Sequence, residues 1–229
     1  MQRRLFVTGG TGYMGSALLP QLVKCGHEVR ALVRPGSEAR VGAGAEICIG
    51  DALDGDSYAQ EVAGCDTFVH LIGVPHPSPA KAREFVDVDL RAAKEAVRVA
   101  GPAGVRHFVY LSVAQPAPVM KAYQGVRAKC ECMLRSSGLN TTILRPWYVL
   151  GPGHRWPILL KPFYTAAELI PALRIGARRL GLVSLEQMVR TLVRAIEDPP
   201  TGIKIFGVSE IRSHGGLEPG DNSWRQSLL

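Results

Sequence analysis

The chain has 229 residues, 46% of them hydrophobic and 21% charged, with a formal net charge of +7. This length and composition predict one soluble globular domain, and no run of about 18 uncharged apolar residues suggests stable membrane insertion. The 27 lysines and arginines are spread along the chain, which argues against a nucleic-acid partner. No export signal is visible, and the five cysteines lie in periodic apolar segments. We therefore expect a cytoplasmic protein with reduced cysteines and no metal.

Strand-like and helix-like segments alternate along the chain. The predicted strands are RRLFVTGG, HEVRALVR, AEICIG, DTFVHLIG, VRHFVYLSV, NTTILRP and IKIFGV. The predicted helices are YMGSALLPQLVKCG, EFVDVDLRAAKEAVRVAG, the segment 119–137, an amphipathic stretch at 158–170 and SLEQMVRTLVRAIED. The alternation indicates a doubly wound α/β fold whose mostly parallel, seven-stranded sheet is covered on both faces.

Two helix ends carry specific signals. Gly138 is placed to end the helix at 119–137, and Ser184 and Gln187 have the spacing of a capping box. We predict a single domain over residues 1–211, in which 147–185 contributes a small C-terminal subdomain on the substrate side. Residues 212–229 lack periodicity, and we expect them to form a disordered tail.

Glycines crowd the turn between the first strand and the first helix, TGGTGYMG. Gly10, Gly12 and Gly15 have GxGxxG spacing, and Gly9 with the last two has GxxGxxG spacing. Glycine lets a backbone approach a pyrophosphate closely, and the helix N-terminus offers N–H groups and a positive dipole to its charge. The turn predicts a dinucleotide site made of Thr8, Gly9, Gly10, Thr11, Gly12, Tyr13, Met14 and Gly15.

Arg34 lies at the end of the second predicted strand, 19 residues after Gly15. A carboxylate at this place holds the ribose 2′-hydroxyl of NAD, whereas a guanidinium can bind the 2′-phosphate of NADP. The sequence thus favours NADP(H), with NAD(H) possible and Arg40 as a weaker second candidate. In the alternative interpretation, Arg34 is only a solvated charge at a strand end.

These segments together resemble the atypical, extended-like short-chain dehydrogenase/reductases, which include NmrA-like proteins and relatives of an accessory subunit of NADH-ubiquinone oxidoreductase. The resemblance rests on TGGTGYMG, GDALD, HLIG, YLSV, KAYQGVRAKCE and LRPWYVLGPG, and it covers residues 1–207. It implies a Rossmann fold and hydride transfer between NADPH and a small carbonyl or alcohol. It also implies that the cofactor is bound by Asp51, Ala52, Leu71, Ile72, Gly73 and Pro146. Asp51 has an alternative interpretation as a turn or N-cap residue.

The catalytic residues that the resemblance implies are Ser112, Tyr123 and Arg127. Ser112 polarises the substrate carbonyl in this scheme, or else it is a strand-end hydroxyl bonded to backbone. Tyr123 exchanges the proton. The family places lysine four residues after the tyrosine, because a cation favours the phenolate. Here Arg127 takes that place, and arginine can orient a cofactor but is a poor proton relay. Asp89 is a second departure, near the place where many members have asparagine.

Glu131 is spaced four residues from Arg127 and could pair with it. The segment WYVLGPGHRWP suits a small organic substrate, and its candidate binding residues are Trp147, Tyr148, His154, Arg155 and Trp156. Alternatively, these aromatics seal the small subdomain. A second interpretation of the whole chain is a non-catalytic dinucleotide-binding module with a regulatory, redox-sensing or assembly role and a protein partner.

Overall fold

The computed structural model describes residues 1–152, 176 and 179–214, the last of them by its backbone alone. Seven strands in this part of the chain form one sheet in the order β3-β2-β1-β4-β5-β6-β9, and every neighbouring pair is parallel. They are β1 (Arg4–Thr8), β2 (Glu28–Val33), β3 (Glu46–Ile49), β4 (Thr67–His70), β5 (His107–Leu111), β6 (Asn140–Leu144) and β9 (Ile203–Phe206). Strands β7 (Tyr148–Leu150) and β8 (Leu182–Ser184) form a separate parallel pair.

Helices connect most of the strands. They are α1 (Tyr13–Lys24), α2 (Ala59–Val62), α3 (Ala82–Glu84), α4 (Arg91–Ala100), α5 (Lys121–Ser136), α6 (Leu185–Glu197) and α7 (Val208–His214). A π-helical turn, Phe85–Leu90, lies between α3 and α4. Short 3-10 turns lie at Glu38–Arg40, Gly55–Ser57 and Pro79–Lys81. Within the described ranges no helix is long and apolar enough to cross a membrane.

The large sheet separates two apolar layers. Alternate residues of a strand point to opposite faces, so Val69 of β4 joins the layer under α1 and α6, while Phe68 joins the layer under α4 and α5. In the second layer the rings of Phe68 and Phe108 stack with centroids 5.0 Å apart. The doubly wound α/β prediction is confirmed.

Both predicted helix-end signals are present. Gly138, which follows α5, has a φ of +73°. Ser184 Oγ accepts a hydrogen bond from the Gln187 backbone N–H at 3.0 Å, and Gln187 Oε1 accepts one from the Ser184 N–H at 2.9 Å. Helix α7 continues past residue 211, where the domain was predicted to end, and Ile211 on this helix is fully buried. The rest of the predicted tail, 215–229, and the amphipathic stretch at 158–170 lie outside the described residues.

The carboxyl ends of the central strands meet at one edge of the sheet. The register places Thr8 of β1 beside His70 of β4, and His70 beside Tyr110 of β5. Strands β1 and β4 are neighbours in the sheet although β2 and β3 lie between them in sequence. The connections therefore leave this point toward opposite faces and open a crevice, which is where open α/β sheets bind ligands.

Candidate functional site

The glycine turn between β1 and α1 has no room for side chains at two positions. Gly9 has a φ of +80°, and a Cβ there would lie 3.0 Å from the carbonyl carbon of Leu71. A Cβ on Gly15 would lie 2.6 Å from the Cα of Gly10. The Gly12 N–H donates to the Gly9 carbonyl at 3.0 Å and closes the turn. Backbone therefore packs directly on backbone here, and only glycine allows this approach.

The N-terminus of α1 is free of acidic and capping side chains. Gly12 is its N-cap residue and provides no side-chain hydrogen bond, and the first turn contains no acidic residue. The first N–H groups of a helix have no intrahelical acceptor, and the helix dipole favours an anion near them. A pyrophosphate fits this position in charge and in the close backbone approach that it needs.

Two arginines lie near the glycine turn on the β2 side. Arg34 follows β2 directly and is exposed. Arg40 Nη2 donates to the carbonyl of Thr11, inside the glycine turn, at 2.9 Å. Of the nearby acidic groups, Glu38 Oε1 accepts the Gly36 N–H at 3.1 Å, which ties that carboxylate to its own turn. Arg40, the weaker candidate in the sequence, is thus the arginine with a defined contact to the predicted phosphate site.

Asp51 follows β3 and forms a local turn. Its Oδ1 accepts the Leu53 N–H at 2.9 Å, and its own N–H donates to Ser57 Oγ at 3.0 Å. This geometry matches the alternative interpretation of Asp51 as a turn residue. Contact of Asp51 and Ala52 with adenine stays a prediction.

The loop that follows β4 lies against the glycine turn on one side and against α5 on the other. The Leu71 N–H donates to the Thr8 carbonyl at 3.1 Å, and the Ile72 carbonyl accepts from Arg127 Nη2 at 3.3 Å. A Cβ on Gly73 would collide with Arg127 Nη2. The need for glycine at position 73 therefore comes from Arg127, a reason that the sequence prediction did not give.

Tyr123 lies in the first turn of α5 and is half-buried. Its ring packs against Phe85, with centroids 4.9 Å apart, and Arg127 lies over the ring with its Cζ atom 5.1 Å from the centroid. The structure thus brings Tyr123 and Arg127 together, as their four-residue spacing predicts. The cation contacts the face of the ring.

Arg127 is bound inside the protein. It forms an ion pair with Asp89, with Nη2 2.6 Å from Oδ1, and both side chains are buried. Burial raises the pKa of the Asp89 carboxyl, and the charge of Arg127 opposes that rise. The predicted pairing of Arg127 with Glu131 is wrong, because the guanidinium points toward the strand ends and the π-helical turn.

Glu131 is the centre of a second buried polar cluster. It forms ion pairs with Arg135 and Arg145, and its Oε1 accepts the hydroxyl of Ser112 at 2.6 Å. Burial raises the pKa of Glu131, but hydrogen bonds from Arg145 and Ser112 outweigh it and leave the pKa below its ordinary value. The Ser112 hydroxyl therefore donates a hydrogen bond to a carboxylate. This differs from both interpretations of the sequence, in which the hydroxyl contacts a substrate carbonyl or the backbone. Its predicted role toward a substrate carbonyl requires this bond to break.

The segment after β6 is described only in part. Pro146 is buried, and its carbonyl accepts the Ala114 N–H at 2.8 Å. The rings of Trp147 and Tyr148 meet edge to face with centroids 5.6 Å apart, and Trp147 packs against the apolar layer under α1. This packing favours the alternative interpretation, in which Trp147 seals the small C-terminal subdomain. The other predicted substrate residues, His154, Arg155 and Trp156, lie outside the described residues.

His70 is a buried polar residue at the strand ends that the sequence analysis missed. Its Nδ1 lies 2.9 Å from Thr8 Oγ1, and its ring stacks on Tyr110 with centroids 5.9 Å apart. Burial, together with the charge of Arg127, lowers its pKa to about 3. The available signal was a histidine that ends a strand directly after two apolar residues, Phe68 and Val69.

Comparison with known proteins supports the dinucleotide site. A family described as NAD(P)H-binding matches residues 9–156. The chain is 26% identical over 212 residues to a ceramide reductase of Caulobacter vibrioides, which covers 91% of this chain and 65% of the relative. It is 27% identical over 219 residues to an uncharacterized sugar epimerase of Bacillus subtilis, covering 90% and 94%. A farnesyl-dihydroquinoline-oxide ketoreductase of Stigmatella aurantiaca is 27% identical over 170 residues, covering 65% and 51%.

Solved structures share the fold. The enzyme WbmH of Bordetella bronchiseptica in complex with NAD+ has a TM-score of 0.68 at 20% identity, covering 90% of this chain and 76% of that one. A dTDP-glucose 4,6-dehydratase of Streptomyces venezuelae with bound NAD has a TM-score of 0.67 at 22% identity, covering 89% and 75%.

The length of the match differs among the relatives. The chain spans less than two thirds of the ceramide reductase and about half of the ketoreductase. The match begins in the glycine turn and ends at residue 156, and it therefore covers more than half of this chain. The glycine turn, the uncapped helix that follows it and the parallel strand order agree with that match. The chain belongs to the NAD(P)H-binding family.

Proposed function

We propose that the chain is an NADP(H)-dependent reductase for a small carbonyl substrate, with Tyr123 as the proton donor. The observation that carries this proposal is the pair of arginines beside the glycine turn, Arg34 at the end of β2 and Arg40 on the Thr11 carbonyl at 2.9 Å. Two guanidinium groups there suit a 2′-phosphate, since arginine binds phosphate through charge-assisted hydrogen bonds.

The protein contributes position and one proton to this reaction. When bound, NADPH supplies a hydride to the carbonyl carbon, and the carbonyl oxygen needs a proton to become the alcohol. Tyr123 carries the O–H group for that step, and its ring is held in place between Phe85 and Arg127. Of the residues predicted to contact the substrate, Tyr148 is the described one that we keep in this role, and the roles of His154, Arg155 and Trp156 stay predictions.

The names of two relatives support a reductase, and one of the two supports carbonyl chemistry. The Caulobacter protein is a ceramide reductase and the Stigmatella protein is a ketoreductase. The first name describes a reductase and the second a ketoreductase, whereas the Bacillus relative is named a sugar epimerase. We therefore place a ketone or aldehyde, not a specific compound, in the substrate position.

Cofactor selection tests the first part of the proposal. NADPH is expected to raise the melting temperature of the wild type clearly more than NADH, because binding to the folded state stabilises it by mass action. Arg34→Ala and Arg40→Ala should each weaken NADPH binding by roughly tenfold and leave NADH binding nearly unchanged. Titration calorimetry with both cofactors measures this.

Lys204→Ala is the matched control, since Lys204 lies on β9 at the other edge of the sheet. It should bind both cofactors like the wild type. Equal thermal shifts with NADPH and NADH in the wild type would overturn the NADP(H) assignment. If only one of the two arginine variants loses NADPH affinity, that arginine alone binds the 2′-phosphate.

Removal of one hydroxyl group tests the second part. Tyr123→Phe is expected to lower the turnover number at least about a hundredfold, the usual size of a positioned proton donor, and to leave the NADPH affinity within a few-fold. The measurement is NADPH oxidation over a panel of aldehydes, ketones and quinones, with wild type and variant side by side. A variant that keeps wild-type turnover removes Tyr123 from the mechanism.

A non-catalytic dinucleotide-binding module is the second candidate. The observations in its favour are the interior contacts of Arg127 and the Ser112–Glu131 hydrogen bond, since both groups are engaged inside the protein. Tight NADPH binding without turnover on any substrate of the panel would favour this candidate. Under this second candidate, the Tyr123→Phe variant should bind NADPH like the wild type, and neither protein should turn over a substrate.

A further inference from the structure

Asp89 and Arg127, the two departures from the family pattern, contact each other in the interior. Arg127 Nη2 lies 2.6 Å from Asp89 Oδ1, and their side chains are 4% and 0% exposed. Because neither charge reaches solvent, each is the counterion of the other. The lysine and asparagine of the family pattern together carry one positive charge, whereas this pair is neutral.

Both terminal nitrogens of Arg127 face interior groups. Nη1 donates to the Tyr110 hydroxyl at 3.1 Å and to the Leu111 carbonyl at 2.9 Å. Nη2 donates to the Ile72 carbonyl at 3.3 Å and faces Asp89. The Nε atom is buried and has no hydrogen-bond partner among the described residues. The guanidinium therefore has no outward N–H to offer a ligand in this arrangement, although the sequence analysis gave it a cofactor-orienting role.

The pair holds both sides of Gly73. Arg127 binds the carbonyl of Ile72, and Asp89 Oδ2 accepts the Val74 N–H at 3.0 Å. A Cβ on Gly73 would meet Arg127 Nη2 first and would lie 3.5 Å from Asp89 Oδ1. The ion pair thus holds the backbone of residues 72–74 from the interior side of the loop. The same loop begins at Leu71, whose N–H donates to the Thr8 carbonyl beside the glycine turn.

Asp89 reaches this position from the π-helical turn Phe85–Leu90. Phe85 and Asp89 are the two buried residues of that turn, and Phe85 packs on the ring of Tyr123. The π-helical turn thus makes two contacts. Phe85 packs against Tyr123, and Asp89 binds the loop that follows β4. The ion pair connects that turn with α5 and with the ends of β4 and β5.

We propose that Asp89 and Arg127 form a positioning pair, which holds the loop of residues 71–74 in the shape that receives the dinucleotide and acts through that loop without direct contact with the cofactor. The proposal rests on the NADP(H) binding proposed above. It makes Asp89 a positioning residue for cofactor binding and replaces the cofactor-contacting role expected for position 127.

The central test replaces both members of the pair. Removing one partner leaves a lone buried charge, whereas hydrophobic replacement of a whole buried pair often preserves folding. In the double variant Asp89→Leu, Arg127→Met, amide hydrogen exchange at Val74 is expected to be at least tenfold faster. NADPH binding, measured by titration calorimetry on the folded protein, should be at least tenfold weaker.

Each outcome of the double variant bears on the proposal. A folded variant that binds NADPH within twofold of the wild type overturns it, and so does one whose Val74 exchange stays slow. Circular dichroism and the melting temperature report folding separately from affinity. If the wild type itself does not bind NADPH, the proposed function fails, while Val74 exchange still shows whether the pair holds the loop.

Arg127→Lys tests the pair if the double variant does not fold. An ammonium group has three N–H donors and cannot make all the contacts of the guanidinium fork, so NADPH binding is expected to weaken about three- to tenfold. Binding as tight as in the wild type, or tighter, would show that position 127 contacts the cofactor directly. Lys129→Ala, which removes an exposed cation of α5, is the control and should bind NADPH within twofold of the wild type.

Discussion

Gly15→Ala is expected to abolish measurable NADPH binding and to lower the melting temperature. The added Cβ would lie 2.6 Å from the Cα of Gly10 and 2.7 Å from its carbonyl carbon, and both neighbours are backbone atoms. The turn must therefore shift as a whole, which moves the N–H groups of α1 away from the phosphate position. Overpacking of this kind costs about 1–3 kcal/mol or more of folding free energy. Calorimetric titration and thermal unfolding measure the two effects.

Gly125→Ala is the matched control, because Gly125 also lies in a helix but a Cβ there meets nothing within 4 Å. This change should leave NADPH binding unchanged and stabilise the protein by roughly 0.5–1 kcal/mol, the usual gain of alanine over glycine inside a helix. If Gly15→Ala binds NADPH within threefold of the wild type, the glycine turn is not the phosphate cradle.

Lowering the pH from 6 to 4.5 is expected to destabilise the protein by about 1–3 kcal/mol per pH unit, because two buried histidines stay neutral in the folded state. Burial, with the charge of Arg127, lowers the pKa of His70 to about 3, and burial, with that of Arg3, lowers the pKa of His107 to about 4. In the unfolded chain the pKa of a histidine is about 6.5.

The sign follows from which state binds more protons. Between about pH 6.5 and the pKa values of the two histidines in the folded protein, the unfolded chain binds protons that the folded protein excludes. As the pH is lowered through this range, the free energy of unfolding decreases by about 1.4 kcal/mol per pH unit for each histidine. Asp89 acts in the opposite direction, since burial raises the pKa of its carboxyl and the folded protein takes up that proton first. The stabilising contribution of the histidines is complete only above pH 6.5.

His70→Phe isolates one of these groups. Phenylalanine keeps the aromatic ring beside Tyr110 but cannot bind a proton, so the slope of unfolding free energy against pH should decrease by about 1.4 kcal/mol per unit. The variant loses the hydrogen bond to Thr8, at a cost of about 1 kcal/mol at neutral pH. Urea unfolding at several pH values between 7 and 4.5 gives both numbers. Parallel curves for variant and wild type would refute the assignment to His70.

The features that were predictable from the sequence are those set by local patterns. The glycine turn, the apolar strands, Gly138 and the Ser184 capping box each depend on a few neighbouring residues, and each is found in the structure. The partner of Arg127 was not predictable in this way. Spacing along α5 suggested Glu131, but that carboxylate pairs with Arg145 from the end of β6, a contact that depends on the tertiary fold.

One signal for the Asp89–Arg127 contact was present in the sequence. Both residues depart from the family pattern, and they carry opposite charges. The π-helical turn hid the geometry, because it changes the direction of the residues within it and cannot be read from hydrophobic periodicity. The contact of Arg40 with Thr11 was hidden for a similar reason, since it bridges two loops 29 residues apart.

The collision between Gly73 and Arg127 also limits how this protein can evolve. Any side chain at position 73 meets the guanidinium, and loss of either charge leaves the other buried without a counterion. We therefore expect single substitutions at positions 73, 89 and 127 to cost more stability than replacement of the whole ion pair. A change of Arg127 to lysine keeps a counterion for Asp89 but loses contacts of the guanidinium fork, so its cost lies in the shape of the loop and not in an unpaired charge.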